Sequence, residues 1–231
     1  MRIMSHPEEP CLATSSGGLI SILAPKPDQI RFLDIATGLS NTCRYGGQLR
    51  DRLFLSVAEH SLLMTHKAVD TGVARSIEDA LKVLLHDASE AYIGDLPTPL
   101  KRLLPDFSVI EKRLQSVIED SFGLNANNVQ ITRADVKKLD NRIRLDEIEM
   151  AINDPAKTYG LERVWGLDPD LQPLGADVRC LDRADAFEQF VDTFIWVCEM
   201  PARDPGASAA VEPYLHQARL LRSDAPHFEI A

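Results

Sequence analysis

Long hydrophobic runs are missing from this chain, which excludes the usual membrane-spanning architecture. No uninterrupted apolar segment approaches the roughly 18 to 20 residues that a membrane helix requires. The first residues, Met1 to Glu9, hold charged side chains and a proline in place of the apolar block of a secretory signal peptide. We therefore expect a soluble, cytoplasmic protein without a membrane partner.

Cysteine is scarce and follows no functional spacing. The chain has 4 cysteines, and no two of them form a Cys-x-x-Cys pair. This excludes a zinc knuckle and gives no support to a disulfide framework. We expect free thiols in a reducing compartment at Cys11, Cys43, Cys180 and Cys198.

Positive charge is also in deficit. The chain contains 25 Lys and Arg residues against 35 Asp and Glu residues, and its formal net charge is −10. Such a chain repels a polyanion, and no basic block with interleaved aromatic residues offsets that repulsion locally. We expect no nucleic-acid partner, although a small phosphorylated substrate needs only a few cations in one pocket.

Helical periodicity is the strongest pattern that the chain does contain. Apolar residues recur three and four positions apart in several segments, whereas period-two alternation is scarce. Ser76 and Thr132, each with an aspartate three positions later, mark the predicted starts of two helices. The sequence predicts an all-α fold with a small strand pair in the connector near Pro173 to Arg179. The predicted helices cover approximately residues 53–72, 76–94, 109–123, 132–148 and 182–195.

Proline and glycine punctuate both ends of the chain without a sustained period. With 231 residues, the chain is long enough for one hydrophobic core. We predict an N-terminal arm at 1–28, one domain at 29–199 and a C-terminal tail at 200–231.

Metal-competent side chains occur on faces that otherwise look buried. They are His60, the adjacent pair His86-Asp87, and Asp140, which lies four residues after Val136 and so turns toward the core. A lone histidine on an apolar helix face is more often a hydrogen-bonded core residue. Here that explanation would have to satisfy four buried polar groups separately. Two imidazoles and two carboxylates suit one divalent ion, either Mn²⁺, Co²⁺, Fe²⁺, Zn²⁺ or, less well, Mg²⁺.

Two further carboxylates follow the His-Asp pair. Glu90 comes four residues after His86, so we expect both on one face of the helix predicted at 76–94. Asp95 leaves that helix on a turn stiffened by Pro97. Without other information, Glu90 could equally be a solvated helix carboxylate and Asp95 a turn-forming residue.

A longer motif surrounds the pair. The sixteen residues from His86 to Lys101, HDASEAYIGDLPTPLK, resemble the 5′-deoxynucleotidase branch of the HD-domain metal-dependent phosphohydrolase superfamily. Arg44-Tyr45 is similar to the Arg-aromatic pair of that branch, although its best-known members carry tryptophan at the second position. The likeness extends over about Ile30 to Met150. It implies an HD-domain helical bundle and a homodimer.

The resemblance also assigns roles by position. It implies the metal ligands His60, His86, Asp87 and Asp140, and the catalytic carboxylates Glu90 and Asp95. The substrate would be lined by Arg44, Tyr45, Asp95, Leu96, Pro97 and Thr98. Because no histidine occurs between His86 and His216, the extra imidazoles of binuclear relatives are missing, and one metal ion is expected.

These roles predict a phosphohydrolase that releases phosphate from deoxyribonucleoside 5′-monophosphates by attack of a metal-activated water. An alternative is hydrolysis of a deoxynucleoside triphosphate to nucleoside and triphosphate, for which Arg50, Arg52, Lys101 and Arg102 could supply cations. A non-catalytic nucleotide-sensing domain is a third, less favoured possibility. We interpret Asp146-Glu147 as a solvated or salt-bridged helix face.

Overall fold

Helices dominate the residues that the computed structural model describes, which are 10–125, 129–200 and 209–223. The all-α prediction is confirmed. Every helix in these stretches is too short or too polar to cross a membrane. The α-helices are α1 (Phe32–Asn41), α2 (Val57–Asp70), α3 (Ile77–Leu84), α4 (Glu90–Ile93), α5 (Thr98–Lys101), α6 (Pro105–Ser121), α7 (Arg133–Ala151), α8 (Ala156–Tyr159), α9 (Leu161–Trp165), α10 (Arg183–Cys198) and α11 (Glu212–Ser223), and short 3₁₀ turns occupy Pro27–Gln29, Arg44–Gly47 and Arg50–Arg52.

Side-chain caps begin α3 and α7 where the sequence predicted them, and a cap that was not predicted begins α2. The Ser56 hydroxyl accepts the backbone N–H of Glu59 at the start of α2, and the Ser76 hydroxyl does the same for Asp79 at α3. Thr132 and Asp135 bond each other reciprocally at the start of α7. These bonds satisfy backbone donors that have no partner within the helix.

The small strand pair exists, but it lies in a different place. Strand β1 (Cys11–Ala13) pairs antiparallel with β2 (Leu19–Ser21), inside the predicted N-terminal arm. The prediction of strands near Pro173 to Arg179 was wrong. Period-two alternation is weak in such short strands, so their location could not be read from the pattern.

Buried carboxylates hold the connector in place of a partner strand. The backbone N–H groups of Leu174 and Gly175 donate to Asp146 at 2.8 and 3.0 Å. Glu59 accepts the backbone N–H groups that follow, from Arg179 at 2.7 Å, Cys180 at 3.0 Å and Leu181 at 2.7 Å. With their donors satisfied by side chains, these residues do not need a strand ladder.

The helix predicted over 76–94 is interrupted. Helix α3 ends at Leu84 and α4 begins at Glu90, with His86 and Asp87 in the turns between them. The backbone there forms hydrogen bonds between residues three positions apart, as in a turn; one of them joins Glu90 N–H to the Asp87 carbonyl at 2.9 Å. The expectation that His86 and Glu90 share one helix face was therefore wrong.

Aromatic packing joins α1 to α10 and the end of α6 to α11. Phe32 of α1 packs against Phe194 of α10 with ring centroids 4.2 Å apart. Phe122, at the end of α6, stacks on Tyr214 of α11 at 4.0 Å. All four rings belong to the main core, so α11 is part of the packed body.

Both predicted terminal segments contribute to that core. Ile20 of the predicted arm and Tyr214 of the predicted tail belong to one buried cluster. Other parts of the arm and tail, residues 1–9, 201–208 and 224–231, lie outside the described residues. The four cysteines, which are all described, are free as predicted.

Helix α1 makes a close approach to α4. A Cβ atom at Gly38 would lie 2.7 Å from both Cα and Cβ of Ala91, and closer still to its carbonyl oxygen. Only glycine fits at that distance, which lets α1 support the helix that begins with Glu90.

Candidate metal centre and adjoining cavity

The residues predicted as metal ligands lie together. One ligand atom from each of His60, His86 and Asp140 lies within 4.8 Å of the others. The Nε2 atom of His60 is 3.3 Å from Nε2 of His86 and 3.5 Å from Oδ1 of Asp140. Oδ2 of Asp87 is 3.1 Å from Nε2 of His86 and 3.9 Å from Nε2 of His60. The group of His60, His86 and Asp140 could therefore hold a metal ion.

The two imidazoles are turned so that Nε2 faces the cluster. Nδ1 of His60 lies 2.7 Å from Oε1 of Glu147, and Nδ1 of His86 lies 2.8 Å from the carbonyl oxygen of Val83. Both acceptors require a proton on Nδ1, which in the neutral imidazole leaves Nε2 with a free lone pair. This arrangement is typical of histidines that ligate metals. The residues present therefore fit a divalent ion.

The electrostatics of the cluster favour ionised carboxylates. Burial would raise the pKa of Asp87, but His86 and His60 outweigh it and hold the pKa well below its ordinary value. Burial likewise opposes ionisation of Asp140, and His60 with Lys137 lowers the pKa of this carboxyl. Burial also disfavours the charged form of His86, but Asp87 outweighs it and raises the pKa of that imidazole. Carboxylates bind metals in the ionised form.

A cavity of about 260 Å³ opens beside the cluster. Asp87 and Asp140 line it, and so do both predicted catalytic carboxylates, Glu90 and Asp95. The predicted substrate residues also line it, namely Arg44, Tyr45, Asp95, Leu96, Pro97 and Thr98. The structure thus brings these residues to one place, while their catalytic and binding roles stay predictions.

Glu90 is a buried acid at the edge of this cavity. Glu90 is 4% exposed, and its Oε2 atom has no hydrogen-bond partner among the described residues. Burial, with the charges of Asp87 and Asp95, raises the pKa of Glu90 well above its ordinary value. The nearest cation is Lys101, whose Nζ lies 3.8 Å from Oε1 of Glu90 and 2.6 Å from Glu111.

Arg44 is buried and is held by an acid that sequence reasoning misjudged. Its Nε and Nη2 atoms donate to Oε2 of Glu147 at 3.1 and 3.0 Å, and the Tyr45 hydroxyl donates to the same oxygen at 2.6 Å. The prediction of a solvated helix face at Asp146-Glu147 was wrong, because both residues are buried. The salt-bridged alternative is confirmed for Glu147. Burial would raise the pKa of Glu147, but Arg44 and His60 lower it to about 2.

Other lining residues were also missed. Trp165 of α9 lies edge-on to Tyr45, with ring centroids 6.0 Å apart. Its position in a segment read as a connector gave no sign of this role; the only available signal was a large aromatic residue between turns. Further cations line the cavity at Lys101, Arg102, Lys137, Arg144 and Arg163.

A second cavity, also about 260 Å³, adjoins the cluster and is lined by His86, Asp87 and Asp140. It shares Asp87, Asp140, Lys101 and Lys137 with the first one. Lys137 donates to Oδ2 of Asp140 at 2.6 Å, so the two oxygens of that carboxylate face different partners. The cluster is thus reached from two cavities.

The cations considered for a triphosphate are divided. Lys101 and Arg102 line the first cavity, whereas Arg50 and Arg52 line neither of the two cavities that the described residues form around the cluster.

Comparison with known proteins gives two partial matches. No family model matches the chain. It is 43% identical over 97 residues to the uncharacterized protein YfdR of Escherichia coli K12, which covers 42% of this chain and 49% of that protein. It is 36% identical over 112 residues to an uncharacterized protein of Rhodobacter capsulatus, covering 48% of this chain and 57% of that protein. The chain thus spans about half the length of the curated relatives it matches.

Proposed function

We propose that this protein is a divalent-metal-dependent phosphohydrolase that releases orthophosphate from deoxyribonucleoside 5′-monophosphates. One observation carries the proposal: His60, His86, Asp87 and Asp140 come together, and the two aspartates of this cluster line a cavity with Arg44, Glu90 and Asp95. The resemblance of the His86 to Lys101 run to HD-domain 5′-deoxynucleotidases points to the same chemistry.

The side chains divide the work in this proposal. His60, His86, Asp87 and Asp140 would hold the ion. When bound, a divalent ion supplies positive charge that polarises a phosphoryl oxygen and makes water a better nucleophile. Glu147 accepts one N–H from Nε and one from Nη2 of Arg44, so the two N–H groups of Nη1 and the second one of Nη2 would bind the phosphate.

Glu90 is the better candidate for the proton donor. Its Oε2 atom has no partner among the described residues, and the raised pKa of this carboxyl favours the protonated form more than in an ordinary glutamate. A protonated acid can transfer its proton to the departing ester oxygen. Asp95 would then orient or deprotonate the attacking water.

The size of the cavity favours a small substrate. About 260 Å³ is below the usual range of small-molecule pockets, which begins at about 300 Å³. A mononucleotide suits this space better than a nucleoside triphosphate. The edge-on pair of Tyr45 and Trp165 supplies an apolar wall for the sugar or base.

The test is a product assay. Purified protein would be incubated with deoxyribonucleoside and ribonucleoside mono- and triphosphates in the presence of Mn²⁺, Co²⁺, Mg²⁺, Zn²⁺ or, under anaerobic conditions, Fe²⁺. Orthophosphate released from deoxyribonucleoside monophosphates is the expected result. Intact triphosphate as product would overturn the proposal in favour of a triphosphohydrolase. Saturable nucleotide binding without turnover with any ion would favour a sensing domain.

A further inference from the structure

Glu147 is the residue that joins the metal cluster to the phosphate-binding side of the cavity. It lies on α7, where its side chain is 1% exposed. Oε1 faces Nδ1 of His60 at 2.7 Å, while Oε2 accepts from Arg44 and from the Tyr45 hydroxyl. One carboxylate thus contacts a predicted metal ligand and both residues of the Arg-aromatic pair.

The partners of Glu147 differ in kind from those of its buried neighbours. Asp146, one position earlier, accepts backbone N–H groups of Leu174 and Gly175, and Glu59 accepts three from the same connector. Those contacts shape the chain. Among the described residues, the hydrogen bonds of Glu147 to residues distant in sequence involve side chains of the candidate site.

The charge balance also depends on Glu147. Arg44 is 7% exposed and lies close enough to Asp95 and Asp140 for their charges to act on it. If Glu147 lost its charge, the guanidinium buried beside the cluster would lose the only carboxylate with which it forms an ion pair among the described residues. That positive charge would repel a divalent cation, because charges interact strongly where water is excluded.

We infer that Glu147 is a positioning residue that couples metal binding to phosphate binding. Through Oε1 it keeps the proton of His60 on Nδ1, so that Nε2 is available to the metal. Through Oε2 it holds the guanidinium of Arg44 by Nε and Nη2 at the cavity that Arg44 lines. The metal half of this inference depends on the cluster alone, whereas the phosphate half rests on the proposed function.

Metal titration of the nucleotide-free protein provides the test. Wild type, Glu147→Gln and the matched control Asp146→Asn would be titrated with Mn²⁺ by calorimetry, and their melting temperatures would be recorded by circular dichroism. We expect the Kd for Mn²⁺ to rise about 10- to 100-fold in Glu147→Gln, the usual effect of losing a partner of a metal-ligating histidine. Asp146→Asn should lower the melting temperature and keep the wild-type Kd.

A substrate arm separates the two halves. With a deoxyribonucleoside monophosphate and saturating Mn²⁺, Glu147→Gln should still show a raised KM, because Arg44 is no longer held in place. A wild-type KM at saturating metal would overturn the phosphate half. A wild-type Kd for Mn²⁺ in folded Glu147→Gln would overturn the metal half.

Failure of the proposed function is distinguishable from failure of this inference. If wild type binds Mn²⁺ but hydrolyses no nucleotide, the proposed function is wrong and the metal titration still decides the role of Glu147. If wild type binds none of the ions, the metal centre and both proposals are wrong.

If Glu147→Gln does not fold, ¹⁵N NMR of the wild-type protein with Zn²⁺ tests the role of Glu147 instead. It should show a protonated Nδ1 of His60 with Nε2 on the metal, and a metal-bound Nδ1 would overturn the inference.

Discussion

Replacing Gly38 with alanine sets two physical effects against each other. Gly38 lies inside α1, where alanine is favoured over glycine by about 1 kcal/mol because it restricts the unfolded chain and suits a helix. The added Cβ would, however, lie 2.7 Å from Cα and Cβ of Ala91 and closer to the Ala91 carbonyl. Backbone atoms of α4 cannot rotate away as a flexible side chain could, so the helices must separate.

The magnitude follows from these two terms. Overpacking a tight contact costs about 1 to 3 kcal/mol, and a clash with the backbone of Ala91 belongs at the upper end. After the gain of about 1 kcal/mol from helix propensity, we expect the free energy of unfolding to fall by about 1 to 2 kcal/mol. Because α4 begins with Glu90, turnover should fall more than metal affinity.

Urea denaturation at equilibrium is the assay, with Mn²⁺ titration and turnover measured on the same samples. Gly18→Ala is the control, because its Cβ would meet side-chain hydroxyls rather than backbone, from Thr14 at 3.3 Å and from Ser16 at 3.7 Å. That control should change stability by less than about 0.5 kcal/mol, as is usual for surface positions. A Gly38→Ala protein more stable than wild type would refute the packing of α1 on α4.

Further substitutions address single roles. Glu90→Ala should bind Mn²⁺ with the wild-type Kd and lose turnover, whereas Asp87→Ala should lose both, as read by calorimetry and orthophosphate release; full metal occupancy in Asp87→Ala would contradict its assignment as a ligand. Trp165→Ala should raise KM for deoxyribonucleoside monophosphates with little change in kcat, because it removes a wall of the cavity and leaves the acids in place; an unchanged KM would place the substrate elsewhere. Glu59→Gln should reduce the free energy of unfolding by about 1 to 3 kcal/mol, because an amide cannot accept all three connector N–H groups as the carboxylate does. Equal stability in urea would show that those bonds contribute little.

The candidate ligands could be predicted because each carries a local signal. A histidine or aspartate at a helix position that packing would fill with hydrocarbon is conspicuous in sequence, and His60 and Asp140 are of this kind. Tertiary packing brings His60 and Asp140 next to His86, and this could be expected because a single bound ion would account for all three polar residues. The predicted helix caps at Ser76 and Thr132 were correct for a similar reason, since capping depends on residues only three positions apart.

The role of Glu147 could not be predicted in this way. Its partners Arg44 and His60 lie 103 and 87 positions away in the chain. An acid on a helix of high charge content has the same local pattern whether it faces water or a buried arginine. The interruption of the helix at His86 was missed because apolar periodicity continues through the turn, while the imidazole bonds the carbonyl of Val83.

The contacts between buried carboxylates and the connector could not be predicted from the sequence either. Asp146 and Glu59 satisfy backbone groups about 30 and 120 positions away, and no local pattern announces such contacts. Strands were predicted near Pro173 to Arg179, but there the carboxylates of Asp146 and Glu59 accept the backbone N–H groups that a neighbouring strand would otherwise bond.

Crystals soaked in Mn²⁺ and measured for anomalous scattering test the central claim most directly. The account predicts one anomalous peak, which marks an ion bound by Nε2 of His60, Nε2 of His86 and carboxylate oxygens of Asp87 and Asp140. A map with no peak among these four side chains, or a peak that leaves either histidine unbound, would contradict it.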